Sequence, residues 1–237
     1  MNQMRSVIVI SACLVLLGAC SRIGVEVTEL TLVNHIEAGM IEQDVFVEKM
    51  RGSGEVFRVA KAEAERYADA PVYRAAQPVN HAPYSPKKNG PYPKGASLGV
   101  SLGDWLAGTG RVRYTCSSGA GRIEAAFRRL VPNGTYTMWY FRVAKAHMGC
   151  AECPYATIDF PVGAKDGSQS AFIADVRGNA WFDAKFKPCL KPSDDQLATA
   201  LAITYHSDGN THGPSPGDTG HTSHVQLFAV LPGPDGK

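Results

Sequence analysis

An excess of charge of either sign is the first thing the sequence lacks. Its 24 Lys and Arg stand against 22 Asp and Glu, a formal net charge of +2, with neither a basic block nor an acidic tail. Nucleic acid is therefore not an expected partner, because that affinity rests on clustered Lys and Arg neutralising phosphates. No stretch after Cys20 is long and apolar enough to cross a bilayer as a helix, which takes about 20 residues. No internal repeat is present. Helical periodicity is scarce as well, and strand-like segments follow one another with only turn signals between them, which argues against a parallel α/β sheet.

What is present begins at the N-terminus. Met1 to Arg5 carry one positive charge, and the uncharged run Ser6 to Leu17 follows. That run is too short for a mature membrane span and suits the apolar region of a secretory signal. It ends in Leu17-Gly18-Ala19-Cys20, a large aliphatic residue, two small ones and a thiol. This tetrad resembles the lipobox of bacterial lipoproteins. The resemblance implies diacylglycerol on the Cys20 thiol, cleavage of residues 1–19 as a signal peptide, and acylation of the new amine by a chain such as palmitate. Several acyl chains anchor durably, since each buried methylene contributes about 0.8 kcal/mol. Ser21, where an Asp favours inner-membrane retention in that family, implies an outer-membrane lipoprotein facing the periplasm or the cell surface.

With Cys13 cleaved and Cys20 lipidated, Cys116, Cys150, Cys153 and Cys189 remain. In an exported protein an even number reads first as two disulfides, and the sequence leaves all three pairings open.

The expected fold class is mainly β: an antiparallel β-sandwich with a strand-rich N-terminal arm and few short helices. The arm and a Pro/Tyr-rich strap occupy 20–95, the sandwich 96–232, and a flexible tail 233–237. In the arm, a strand is expected around Val25–Val33 and a hairpin from Asp44–Met50 and Glu55–Val59 about Arg51-Gly-Ser-Gly54. Val59–Ala70 reads as a short helix, and the prolines between Ala70 and Ala96 read as a loop or extended strap. A helical turn is expected at Asp104–Ala107. Strands are expected at Arg111–Cys116, Arg122–Phe127, Thr135–Val143, Ser170–Val176, Ala180–Phe186, Leu197–Tyr205 and Ser223–Leu231. Pro132-Asn-Gly134 is a turn signal. Pro132–Trp139 and Ala171–Ala180 together resemble extracytoplasmic bacterial β-sandwich domains, including the exported domain of anti-sigma-K-type regulators. That likeness implies a fold and no function.

The sharpest chemical cluster lies in the loop before the last strand. Of the seven histidines, His206, His212, His221 and His224 fall there with Asp208 and Asp218, among glycines and prolines. Imidazole nitrogen is the usual ligand for Zn and Cu, and a glycine-rich loop can gather several onto one ion. The alternative is a polar loop whose histidines hold its own backbone.

Cys150-Ala-Glu-Cys153 reads as disulfide chemistry first. A metal site with His147 or Met148, or a redox motif, would need a context the sequence does not display. A c-type haem is excluded, because residue 154 is proline. Gly99-Val-Ser101-Leu-Gly103 matches a serine-hydrolase elbow but lacks the long helix that follows such a serine. Trp105, Trp139 and Trp181 suit either a core or a carbohydrate groove.

The function expected from the sequence is therefore a lipid-anchored envelope protein with a non-catalytic binding or structural role, requiring no cofactor. Its partners are the membrane, through the lipid, and other envelope components. The first alternative is a Zn or Cu protein, or a metalloenzyme, using the loop 206–224. The second is a serine hydrolase on Ser101.

Overall fold

The computed structural model describes residues 26–39, 42–79, 89–144 and 157–233. The signal segment 1–19, Cys20, Cys150 and Cys153 lie outside the described residues, as does most of the tail.

Period-two alternation builds the first sheet. Strand β1 (Glu26–Leu32) pairs with β6 (Thr109–Ser117), β6 with β7 (Ala120–Arg128), and β7 with β11 (Ala180–Phe186), all antiparallel. Val112 and Tyr114 of β6, Ile123, Ala125 and Phe127 of β7, and Phe182 and Ala184 of β11 all point inward and are buried. Gly110 is required where it stands, because a Cβ there would meet the Phe127 ring at 2.8 Å. In the second sheet β8 (Thr135–Ala144) pairs with β12 (Leu197–His206), which pairs with β13 (Ser223–Leu231). The other edge of β8 is shared by β10 (Ala171–Ile173) and β9 (Thr157–Pro161). Tyr136, Met138, Leu201, Ile203 and Leu227 turn inward from this sheet to meet the first in one continuous core. The mainly-β, sandwich-like expectation is the observed fold.

Between β1 and β6 the chain makes something the sequence did not announce. Strands β2 (Glu42–Val47), β3 (Glu55–Ala60), β4 (Pro71–Ala75) and β5 (Tyr92–Ser101) close into a small barrel in the order β2-β3-β5-β4. The expected hairpin is β2–β3. The expected strap is corrected at both ends: it supplies β4 and the start of β5, and β5 runs across the boundary placed at residue 96. Proline is tolerated there because Pro71 opens a strand and the ladders are only a few pairs long. The helix expected over Val59–Ala70 is replaced by a 3₁₀ turn at Lys61–Glu63 and further turns, since β3 continues to Ala60 and takes the first two residues of the expected span.

Barrel and sandwich share the core. Val45, Val47, Val59 and Val72 belong to the same buried cluster as the sheet interiors. The one α-helix among the described residues, α1 (Leu102–Leu106), sits at the junction and buries Leu102 and Trp105. A chain of buried hydrogen bonds runs through it. Asn34 Nδ2 donates to Leu106 O (3.0 Å), Trp105 Nε1 to Gln43 Oε1 (3.2 Å), and Gln226 Nε2 to Trp105 O (3.1 Å). Beyond β1, Val33 crosses to the second sheet, exchanging both backbone hydrogen bonds with Phe228 at 3.0 and 2.8 Å. No helix among the described residues is long and apolar enough to cross a membrane.

Candidate metal centre

The strand period decides which histidines meet. His206 ends β12 on the face of the second sheet turned away from the core, opposite Thr135 of β8. His224 pairs with Tyr205, one residue earlier, and so points to the other face. The two rings cannot converge across the backbone that separates them.

His206 is 1 % exposed. Its Nε2 lies 2.7 Å from Thr137 Oγ1, and that oxygen also accepts Trp139 Nε1–H at 2.6 Å. With the proton on Nε2, the Thr137 oxygen accepts from both rings and His206 Nδ1 is a bare lone pair. Nδ1 is buried and has no hydrogen-bond partner. A ligating histidine is ordinarily oriented in this way, through its second nitrogen.

The loop then doubles back. Gly209, at φ 78°, allows its N–H to reach His206 O at 3.1 Å, and Asp208 Oδ1 accepts the Asn210 N–H at 3.1 Å. This brings the His212 ring to 5.4 Å from that of His206, centroid to centroid. His212 itself holds φ 56°, a left-handed conformation costly for a side chain of its kind, with Gly217 packed beneath its ring. Its Nε2 is buried 3.2 Å from Asp208 Oδ2, yet lacks the angle of a hydrogen bond.

One ligand atom each from His206, Asp208 and His212 thus lie within 4.8 Å of one another. Tetrahedral Zn with bonds of about 2.0–2.1 Å sets its ligands about 3.3 Å apart, so closing on an ion asks the loop for about 1 Å of movement. Electrostatics suits the donors. Burial, and then the neighbouring His212, push His206 down to about 4, against the pull of Asp208, so its imidazole is neutral at physiological pH. Burial works to raise Asp208, but hydrogen bonds from Asn210 and the adjacent His212 hold it below the usual carboxylate range. Two imidazoles and a carboxylate fit Zn or Cu, with a position left for a further ligand.

The other two histidines of the loop are tied elsewhere. His221 Nδ1–H donates to Ala75 O at 2.9 Å, and His224 Nδ1–H donates to Asp44 O at 3.2 Å. His224 Nε2 lies 3.2 Å from Ser207 Oγ. Both rings clasp the barrel to the sandwich, alongside Ala75 N–H to Gly220 O (2.8 Å) and Val225 N–H to Asp44 Oδ2 (3.1 Å).

Cys116 and Cys189 form a disulfide joining the end of β6 to the segment after β11. Ser101 caps α1: its Oγ accepts Asp104 N–H at 3.1 Å and donates to Asp104 Oδ2 at 2.8 Å, so its neighbour is a carboxylate rather than an imidazole. Trp105 and Trp139 are core residues, whereas Trp181 is 61 % exposed. Sequence reasoning saw Asp208 but did not choose it, and missed Thr137. The available signal was His206-x-Asp208-x-x-x-His212 spanning an Asp-Gly-Asn turn.

No family model matches the chain, and no curated protein is detectably similar to it in sequence.

Proposed function

We propose that this protein is a lipid-anchored component of the bacterial envelope with a non-catalytic binding role, and that its ligand is Zn or Cu held by His206, Asp208 and His212. The observation that carries the reading is the pair of buried imidazole nitrogens, His206 Nδ1 and His212 Nε2, without hydrogen-bond partners beside a carboxylate. A buried polar atom left unpaired costs about 1–3 kcal/mol, and an ion would recover it. Anchoring rests on Leu17-Gly18-Ala19-Cys20. Register supports an orientation: Glu26 pairs with Cys116 at one end of the first sheet. His206 and Thr135 follow from the opposite end through the short connection after Arg128. Glu26, the first described residue, thus lies at the end of the sandwich opposite His206, and a tether at Cys20 would favour a metal loop that faces away from the bilayer.

The test is stoichiometry. Detergent-solubilised protein, stripped with chelator and titrated with Zn or Cu, takes up one ion per chain by elemental analysis. His206→Ala and His212→Ala each abolish uptake, while His221→Ala leaves it intact. Absence of bound metal in the wild type, or uptake indifferent to the first two changes, overturns the reading.

A further inference from the structure

The balanced total charge conceals an unbalanced corner. The outer face of the first sheet is open to solvent, and alternation lays its side chains in rows across the strands. In the row containing Glu29, Arg113, Glu124 and Asp183, and its neighbour containing Arg122, opposite charges meet. Arg113 lies 3.6 Å from Glu29, and Arg122 lies 2.6 Å from Asp183 and 3.1 Å from Glu124. Toward the end that bears Leu32 the acids stop. The next row reads Thr31, Arg111, Ala126, Trp181, and Arg128 stands diagonally beyond Arg111. Such diagonal neighbours are about 7–8 Å apart, within reach of long side chains, so the two guanidinium groups can meet one ligand.

The connections at that end add two more guanidinium groups. Arg129, at φ 55°, and Arg177 line a cleft of about 480 Å³ with Val100, Leu130 and Pro132. None of Arg111, Arg128, Arg129 and Arg177 has an ion pair among the described residues, and all are exposed. Glu29 and Glu124, diagonal to Arg111, pair with Arg113 and Arg122, and two carboxylates flanking the cleft are engaged otherwise. Asp175 accepts the backbone N–H groups of Arg177 and Asn179, each at 2.8 Å, and meets the Arg177 guanidinium only through space. Asp104, also in the cleft wall, serves the α1 cap. In the same row as Arg111 Trp181 stands 61 % exposed, and Val176, next to Arg177 in the chain, is 74 % exposed. Exposed apolar groups gathered with unpaired charge mark binding surfaces.

From this corner we infer a binding surface for an acidic polysaccharide, one bearing carboxylates or phosphates along its chain. Arginine forks recognise those groups in two-point fashion, and the order Arg111, Ala126, Trp181 offers an anion contact and a flat ring separated by a side chain too small to obstruct. A sugar ring lying on Trp181 would bring its acidic neighbours over Arg111 and Arg128, with Arg129 and Arg177 taking the chain into the cleft. Single-stranded nucleic acid, by contrast, is gripped by successive stacking aromatics, and Trp181 is the one aromatic on this face among the described residues.

The probe is polygalacturonate, with dextran as the neutral control, added to full-length protein in detergent micelles and followed by tryptophan fluorescence and biolayer interferometry. Polygalacturonate binds, dextran does not, and affinity falls as salt rises from about 0.05 to about 0.3 M. Arg111→Ala with Arg128→Ala weakens binding by about tenfold or more, and Trp181→Ala by a similar factor. Lys185→Ala, which removes a charge from the half of the face where pairs form, changes it less than twofold. All positions are exposed, and circular dichroism checks that each variant keeps the fold. Absence of polygalacturonate binding, or equal losses in the Lys185 variant, overturns the surface. Equal affinity for DNA or for phosphatidylglycerol vesicles overturns its assignment to carbohydrate.

Discussion

Removing one oxygen atom from the core, by Tyr136→Phe, tests the packing logic of the whole molecule. Tyr136 is fully buried, and burial pushes its hydroxyl far above the usual tyrosine range, so it is a neutral donor and acceptor. Its oxygen accepts the Val131 N–H at 2.8 Å, and its proton goes to Gln226 Oε1 at 2.7 Å. Gln226 is itself fully buried and spends its amide N–H on Trp105 O. Phenylalanine fills almost the same volume, so the cavity contribution is small. What changes is that one buried N–H and one buried carbonyl lose their partners together. Each costs about 1–3 kcal/mol, giving a total of about 2–6 kcal/mol. Equilibrium urea unfolding should show a midpoint lower by about 1–3 M with an unchanged slope, for a slope of about 2 kcal/mol per M. A loss under about 1 kcal/mol at unchanged slope would mean that the freed groups find other partners, and the reasoning from this network would fail.

Three further outcomes follow from other parts of the structure. Replacing Cys116 and Cys189 by alanine should lower stability by about 4 kcal/mol, the chain-entropy value for a sequence separation of 73, and reductant should lower wild type by at least as much; equal urea midpoints in oxidised and reduced wild type would contradict this. Complete burial depresses His224 in the fold, outweighing the pull of Asp44 and reinforced by Arg74 and His221, so the unfolded chain takes up the proton first. Its contribution is therefore full above about pH 6.5 and lost as pH falls below that value, and His224→Gln should flatten the slope of stability against pH between about 6.5 and 5 in chelated protein. Finally, Cys20→Ala should abolish palmitate labelling and membrane retention, and undiminished labelling would remove the anchor.

Legibility in the sequence tracked the strength of alternation. Arg111–Cys116, Arg122–Phe127 and Ala180–Phe186 repeat at period two against one dry face, while Thr135–Val143, buried on both faces, is dense in aromatic and β-branched residues; each became a strand within a residue or two. The barrel was half legible: its hairpin carries a glycine turn, but β4 and β5 are held by ladders of two or three pairs with shifted register, too short to impress a pattern on a proline-rich segment. Strand β9 was missed because Asp159 and Pro161 break its run, and its place is set by the edge of β8. Histidine density in the loop was visible, but convergence was not. It depends on β12 reaching His206 and on its pairing with β13, which together send His206 and His224 to opposite faces. Asp208 and Thr137 enter the site through a turn and a neighbouring strand, neither of which the local sequence reveals.

The placement of β1 carries a consequence for how the molecule assembles. The first strand made is among the last that can be locked: Leu30 waits for Val112 of β6, and Val33 waits for Phe228, close to the end of the chain. Contacts so distant in sequence slow folding, because the closure entropy of a long loop must be met before the pairing rewards it. Were the chain exported head first, as the proposed lipid anchor would require, such a delay would be useful. The N-terminal segment would stay unpaired while the rest of the polypeptide passed, and closure of the sandwich would await the arrival of its final strand.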